Sequence, residues 1–170
     1  ILHFDIGREK SVKALEAAMT ADKQLFLTSQ KDENILIPTP EDYYAVGTVV
    51  KIKQMLKIQG DAVRVLVEGQ YRAVMSGIAT EEPYIMAEIT EAEIVPADPQ
   101  EIEVQALMRS VLYAFDDYME LNPGIKDEVY ELISAIEEPD IFADTVAMQM
   151  DSKVTAKQEV LEAFDVKQRL

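Results

Sequence analysis

Cysteine and tryptophan are absent from this chain of 170 residues, and histidine occurs once, as His3. Without cysteine there can be neither a disulfide framework nor a thiolate metal site, and a reducing, cytoplasmic setting is the expected one. One histidine cannot supply the two imidazoles of an HExxH zinc site. His3 stands between Leu2 and Phe4, where it reads as a strand residue, since a general base needs a partner and a pocket. No glycine-rich loop closing on a lysine and a hydroxyl residue occurs, so nothing is built to cradle a nucleotide phosphate. Long uncharged apolar runs are missing too, which leaves no candidate membrane span. No signal or transit peptide is visible.

Basic side chains are the next scarcity. Sixteen Lys and Arg face 32 Asp and Glu, a formal charge of −16. Residues 1–95 hold 10 basic and 15 acidic side chains (−5), and residues 96–170 hold 6 and 17 (−11). Such a field repels phosphate backbones and anionic lipids, so neither nucleic acid nor a membrane is an expected partner. Lys51, Lys53 and Lys57 form the one basic candidate, and their alternation with Val50, Ile52, Leu56 and Ile58 reads as the wet face of a strand. The pairs Glu81-Glu82, Asp116-Asp117 and Glu137-Glu138 are neighbours whose side chains diverge on a helix or strand, and no DxDxDG calcium loop exists. Ser29 near Lys31 and Ser110 beside Arg109 sit in no nucleophile turn. No catalytic, cofactor or metal residue is assigned.

What is present predicts an α+β chain in two parts. Residues 1–95 form a β-rich part with one early helix. Ile1–Phe4 supplies a strand, and Arg8–Ala21 places Val12, Leu15, Ala18 and Met19 on one helical face. Gln24–Thr28 is a short strand, and Thr39, Pro40 and Asp42 form a helix-start signal. Val46–Ile58 alternates as a long strand, turns at Gln59-Gly60-Asp61, and returns through Val63, Val65 and Val67. Gly69 marks a bulge or bend before Tyr71–Ile78, Glu81-Glu82-Pro83 is a turn, and Tyr84–Val95 is the last strand.

Pro96–Pro99 is the expected linker, because two prolines in four residues stop a strand without continuing a helix. In residues 100–170 the period changes to a helical one. Val104, Met108, Val111, Phe115 and Tyr118 stripe a helix of about five turns. Ile125–Ile136 and Phe142–Met150 form two more, with short connections that make neighbours antiparallel. Thr155 and Gln158 have capping-box spacing and open a fourth helix. A turn starting at Asp165 has no evident packing partner and reads, with the lack of an initiating Met, as the mark of a piece cut from a longer chain.

Three stretches occur in fixed order: Gly7-Arg8-Glu9-Lys10-Ser11 opening the first helix, Val65-Leu66-Val67-Glu68-Gly69-Gln70-Tyr71-Arg72-Ala73, and Phe164-Asp165-Val166-Lys167-Gln168-Arg169-Leu170. Thr39–Val49 fits between them. Together they resemble the amino-terminal region of the Lon protease family over essentially the whole chain. The resemblance implies a PUA-like β-rich lobe followed by an all-α helical lobe. In that family these precede an ATPase module, using ATP and magnesium, and a protease module with a Ser-Lys pair, neither of which is in this sequence. The implied parent is a homohexameric, ATP-dependent serine protease of misfolded and short-lived regulatory proteins. This region would recognise and hold unfolded or damaged protein and contribute to assembly. The family usually carries a further strand before the position of Ile1. Its absence here would bare a sheet edge and favour self-association as a dimer by strand or helix exchange.

Eight methionines offer soft, adaptable contact surface. Met108, Met148 and Met150 lie on or beside helical stripes and read as core. Met55 shares the lysine-bearing face of its strand and is expected to be exposed. Met55, with Leu56, Met75 and Met86, is the candidate surface for an unfolded substrate. Two other readings stand beside this one: a stand-alone adaptor of the same fold without a protease, and an RNA-binding PUA-like module, which the charge disfavours.

Overall fold

The structure, a computed structural model, describes residues 1–58 and 62–170, so the turn expected at Gln59-Gly60-Asp61 lies outside the described residues. The chain divides into two compact units, Ile1–Ala92 and Glu93–Leu170.

In the first unit the order is β1 (Leu2–Ile6), α1 (Glu9–Thr20), β2 (Gln24–Leu27), a 3-10 turn (Pro40–Asp42), β3 (Val46–Lys57), β4 (Val63–Thr80) and β5 (Met86–Glu91). All pairings are antiparallel, in the order β1-β4-β3-β2, with β5 also on β4. Val63–Val67 pair with both β1 and β3, and Ala73–Val74 with both β3 and β5. Since a strand has two edges, β1 and β5 lie end to end along one edge of β4. Leu15 and Ala18 of α1 are buried against Val50, Ile52, Val63, Val65 and Val67, with Val12 and Met19 packed beside them, so the expected helical face is the one that meets the sheet. The helix-start signal yields only the short 3-10 turn, in which the Thr39 N–H and hydroxyl both donate to Asp42 Oδ2, at 2.6 and 2.8 Å.

Two bulges break the ladder between β3 and β4. Val49 pairs with Tyr71 while Val50 pairs with Gly69, leaving Gln70 as the extra residue where a bend was expected. Ile52 pairs with Val67 while Gln54 pairs with Leu66, leaving Lys53 extra. Strict alternation gives no sign of this second bulge. The bulge corrects the placing of Met55, which stands opposite buried Val65 and packs half-buried on the core. One inserted residue reverses every side chain after it, so Leu56, not Met55, goes outward and is 51% exposed.

The last strand is also shorter than the expected Tyr84–Val95. It ends at Glu91, and Val95 belongs to the second unit. There the Val95 N–H donates to the Phe164 carbonyl at 3.0 Å and its carbonyl accepts from the Val166 N–H at 3.1 Å.

The second unit contains α2 (Ile102–Leu121), α3 (Asp127–Ser134), α4 (Pro139–Gln149), α5 (Val154–Glu162) and α6 (Val166–Arg169). Phe115, Ile133, Phe142 and Val146 form its core, with Met108, Val111 and Tyr118 packed around them. Met148, expected as core, is 64% exposed, because Phe142 and Val146 define the inward face of α4 and a position two residues on points away. Thr155 is not a cap: Lys153 holds the N-cap position with a non-helical backbone, and the buried Gln158 donates instead to Glu162 Oε1 at 2.9 Å. The turn at Asp165 does have packing partners. Val166 and Arg169 are buried, the Asp165 carboxylate accepts from the Lys167 N–H at 2.8 Å, and Lys167 Nζ reaches Glu103 Oε2 at 3.1 Å. Tertiary contacts thus supply what nucleation of a single turn lacks.

Candidate functional site

The site grows from a row of side chains across three strands. Phe26 of β2 stands opposite Val49 of β3, which stands opposite Tyr71 of β4. Farther along β4, Met75 faces Ile89 of β5. The row closes tightly because Gly47 has no side chain: a Cβ there would lie 2.7 Å from the Phe26 ring. A second wall comes from α1 and the residue that caps its end, where Ser11, Ala14, Ala17, Ala18 and Ala21 are all small. The chain leading into β5 adds Tyr84, Ile85 and Met86, and Tyr43 comes from the segment after the 3-10 turn.

Together these line a cavity of ≈ 540 Å³ in the first unit, within the range that accepts a guest of several side chains. Its lining is mainly apolar and aromatic, with Lys10 and Asp22 as the charged lining residues. Lys10 Nζ meets Glu82 Oε1 at 2.7 Å, an ion pair that ties α1 to the β4–β5 connection. That partner raises the Lys10 ammonium pKa above its ordinary value. Smooth alanines on one wall and aromatic rings with thioethers on the other suit apolar or aromatic side chains of varied shape. Among the polar lining groups Asp22 Oδ1 accepts from the Gln24 N–H at 3.0 Å and the Thr28 hydroxyl donates to the Tyr44 carbonyl at 2.7 Å, and no group of three metal-ligating side chains occurs among the described residues.

Of the four sequence candidates, Met75 and Met86 meet in this cavity, while Met55 and Leu56 do not line it. Met86 is 49% exposed and Met75 half-buried. The sequence reading missed the tyrosines, Phe26 and the helix wall. The alanines of α1 were a visible signal, recurring on the side next to its packed face, but only strand register brings them together with Tyr71 and Tyr84. Of the three lysines in the basic candidate, all exposed, Lys53 Nζ pairs with Glu68 Oε2 at 2.6 Å. His3 is exposed in β1, opposite Leu66. Among the described residues no helix is long and apolar enough to cross a membrane.

The model of the ATP-dependent protease La (LON) substrate-binding domain matches residues 1–170. The chain is 43% identical over 174 residues to a Lon protease of Clostridioides difficile, covering 100% of this chain and 22% of that protein. It is likewise 43% identical over 170 residues to Lon protease 1 of Bacillus subtilis, again over 100% of this chain and 22% of the other. The chain therefore spans about a fifth of the length of these relatives. The fold is similar to the N-terminal domain of a Mycobacterium avium complex Lon protease, with a TM-score of 0.74 at 22% identity, over 99% of this chain and 85% of that one.

Proposed function

The chain belongs to the LON substrate-binding domain family, and on that premise we propose that it is the substrate-recognition region of an ATP-dependent serine protease of the Lon type. The observation that carries the reading is the apolar cavity of ≈ 540 Å³ with Tyr71, Met75, Tyr84, Ile85 and Met86 in its walls. An unfolded protein presents isolated apolar side chains that a folded one buries, and a slot with adaptable thioether and flat aromatic walls favours such side chains without demanding one sequence. Met75 and Met86 are then substrate contacts.

The rest of the reading concerns the parent protein. It makes the β-rich unit a PUA-like lobe and the remainder a helical lobe. ATP and magnesium act in a separate module, in a cytoplasmic homohexamer that removes misfolded and short-lived regulatory proteins under stress. Contribution to assembly, including self-association of this chain, belongs to the same reading.

A photo-crosslinker placed at Ile85 is expected to label a reduced, alkylated, unfolded protein, and one placed at Leu56 is not. Ala14→Trp, which fills the slot from the helix wall, should weaken binding on the order of tenfold, the loss of roughly 1.4 kcal/mol of apolar contact. Labelling confined to residues 93–170 would move the site out of the cavity.

A further inference from the structure

Two thioethers line the cavity of a chain that has no thiol. Met86 is 49% exposed, so a small oxidant reaches it from solvent, and Met75 lines the same cavity half-buried. Cysteine, the side chain that competes most effectively for peroxide, is absent. We propose that Met86, followed by Met75, is a modification site at which peroxide lowers the affinity of the cavity for unfolded chains. The inference rests on the capture reading given above.

The chemistry balances with hydrogen peroxide as the oxidant. A sulfur lone pair attacks one peroxide oxygen, the O–O bond breaks, an S–O bond forms, and the second oxygen takes the first oxygen's proton and leaves as water. Sulfur is oxidised by two electrons and the peroxide is reduced. The product is a polar sulfoxide with a strongly accepting oxygen, where the unmodified side chain was apolar. In a slot walled by Tyr71, Ile85 and Ile89, that oxygen keeps water, and an apolar guest must strip the water away without replacing its hydrogen bonds. Reduction of the sulfoxide restores the thioether, so the change is reversible. Met148 supplies an internal control: it is 64% exposed, on α4 of the other unit, and lines no part of the cavity.

The test uses the 170-residue chain and a dye-labelled peptide of alternating phenylalanine and serine as the probe. Affinity is measured before and after peroxide, with each protein as its own reference, while mass spectrometry maps the added oxygen. The unsubstituted chain should lose affinity on the order of tenfold, equivalent to about 1.4 kcal/mol, and regain it on treatment with methionine sulfoxide reductases. The M75L/M86L double variant should bind equally before and after, whatever its starting affinity, and M148L should lose as much as the unsubstituted chain. If circular dichroism shows the double variant unfolded, M86L alone carries the comparison, with a loss smaller than the unsubstituted chain's. Undiminished binding with sulfoxide mapped at Met86 overturns the switch and leaves the capture reading standing. Oxidation at Met148 with Met86 untouched does the same. An untreated chain that ignores the peptide removes the capture reading, and the switch with it.

Discussion

A Cβ on Gly47 would collide with the Leu27 carbonyl oxygen and meet the Phe26 ring at 2.7 Å. The ring could swing aside, but a carbonyl in a paired strand cannot move without dragging its neighbours: Leu27 is opposite Thr48, the residue after Gly47. Gly47→Ala should therefore destabilise the first unit by about 3 kcal/mol, at the upper end of overpacking costs, and read out as a lower urea midpoint. A loss under about 1 kcal/mol would mean that β2 shifts freely on β3. The same position matters for function, because the ring it admits belongs to the row that floors the cavity. At this scale the sequence is nearly mute. A glycine beginning an alternating strand looks the same whether it is crowded or open, and the reason lies 20 residues away in Phe26 and Leu27.

β3 shows how an element can be legible in outline and misread in detail. Its extent, Val46–Lys57, follows from alternation, and the inward Val50 and Ile52 agree with that pattern. The bulge at Lys53 carries no comparable signal, since lysine fits either side of a ladder, and it reverses the faces of Met55 and Leu56. The two residues then make opposite predictions from those of strict alternation. Met55→Lys should cost about 1–2 kcal/mol, because an ammonium replaces a half-buried thioether packed on the core, whereas Leu56→Lys should stay within about 0.5 kcal/mol. Chemical denaturation of the two variants decides between them, and equal losses would remove the bulge from the argument. Elsewhere, legibility follows distance along the chain. The face of α1, the bulge at Gly69 and the stripe of α2 depend on local period and are readable. By contrast, Val95 joining the second unit and the support under α6 depend on partners about 70 residues away, and neither could be read.

For the whole molecule, the ion pairs and capping bonds set an asymmetry in pH response. Asp5 is held below its ordinary 3.8 chiefly by the hydrogen bond from Arg64, and Glu9 below 4.5 by that from Lys13. Asp32 and Asp42 are lowered by the backbone N–H groups of Asn34 and Thr39, and Glu68 by Lys53. All five lie in Ile1–Ala92. A carboxyl whose folded value lies below its unfolded one contributes stability that is complete above the unfolded value and drains away as pH falls through the folded value. In the second unit the resolved shift is that of Lys167, raised above 10.5 by Glu101 and then Glu103, a contribution lost as pH rises through the folded value. Residues 96–170 also carry 17 acidic against 6 basic side chains, and protonation relieves their mutual repulsion. Between about pH 5 and pH 3, hydrogen exchange corrected for intrinsic rates should therefore lose protection in β1 and β4 before α2 and α4. Earlier opening of α2 would show that self-repulsion outweighs the paired carboxyls. Because the cavity is built on the acid-sensitive unit, its grip on the phenylalanine–serine probe should fail in the same pH interval while the helices of the second unit still hold.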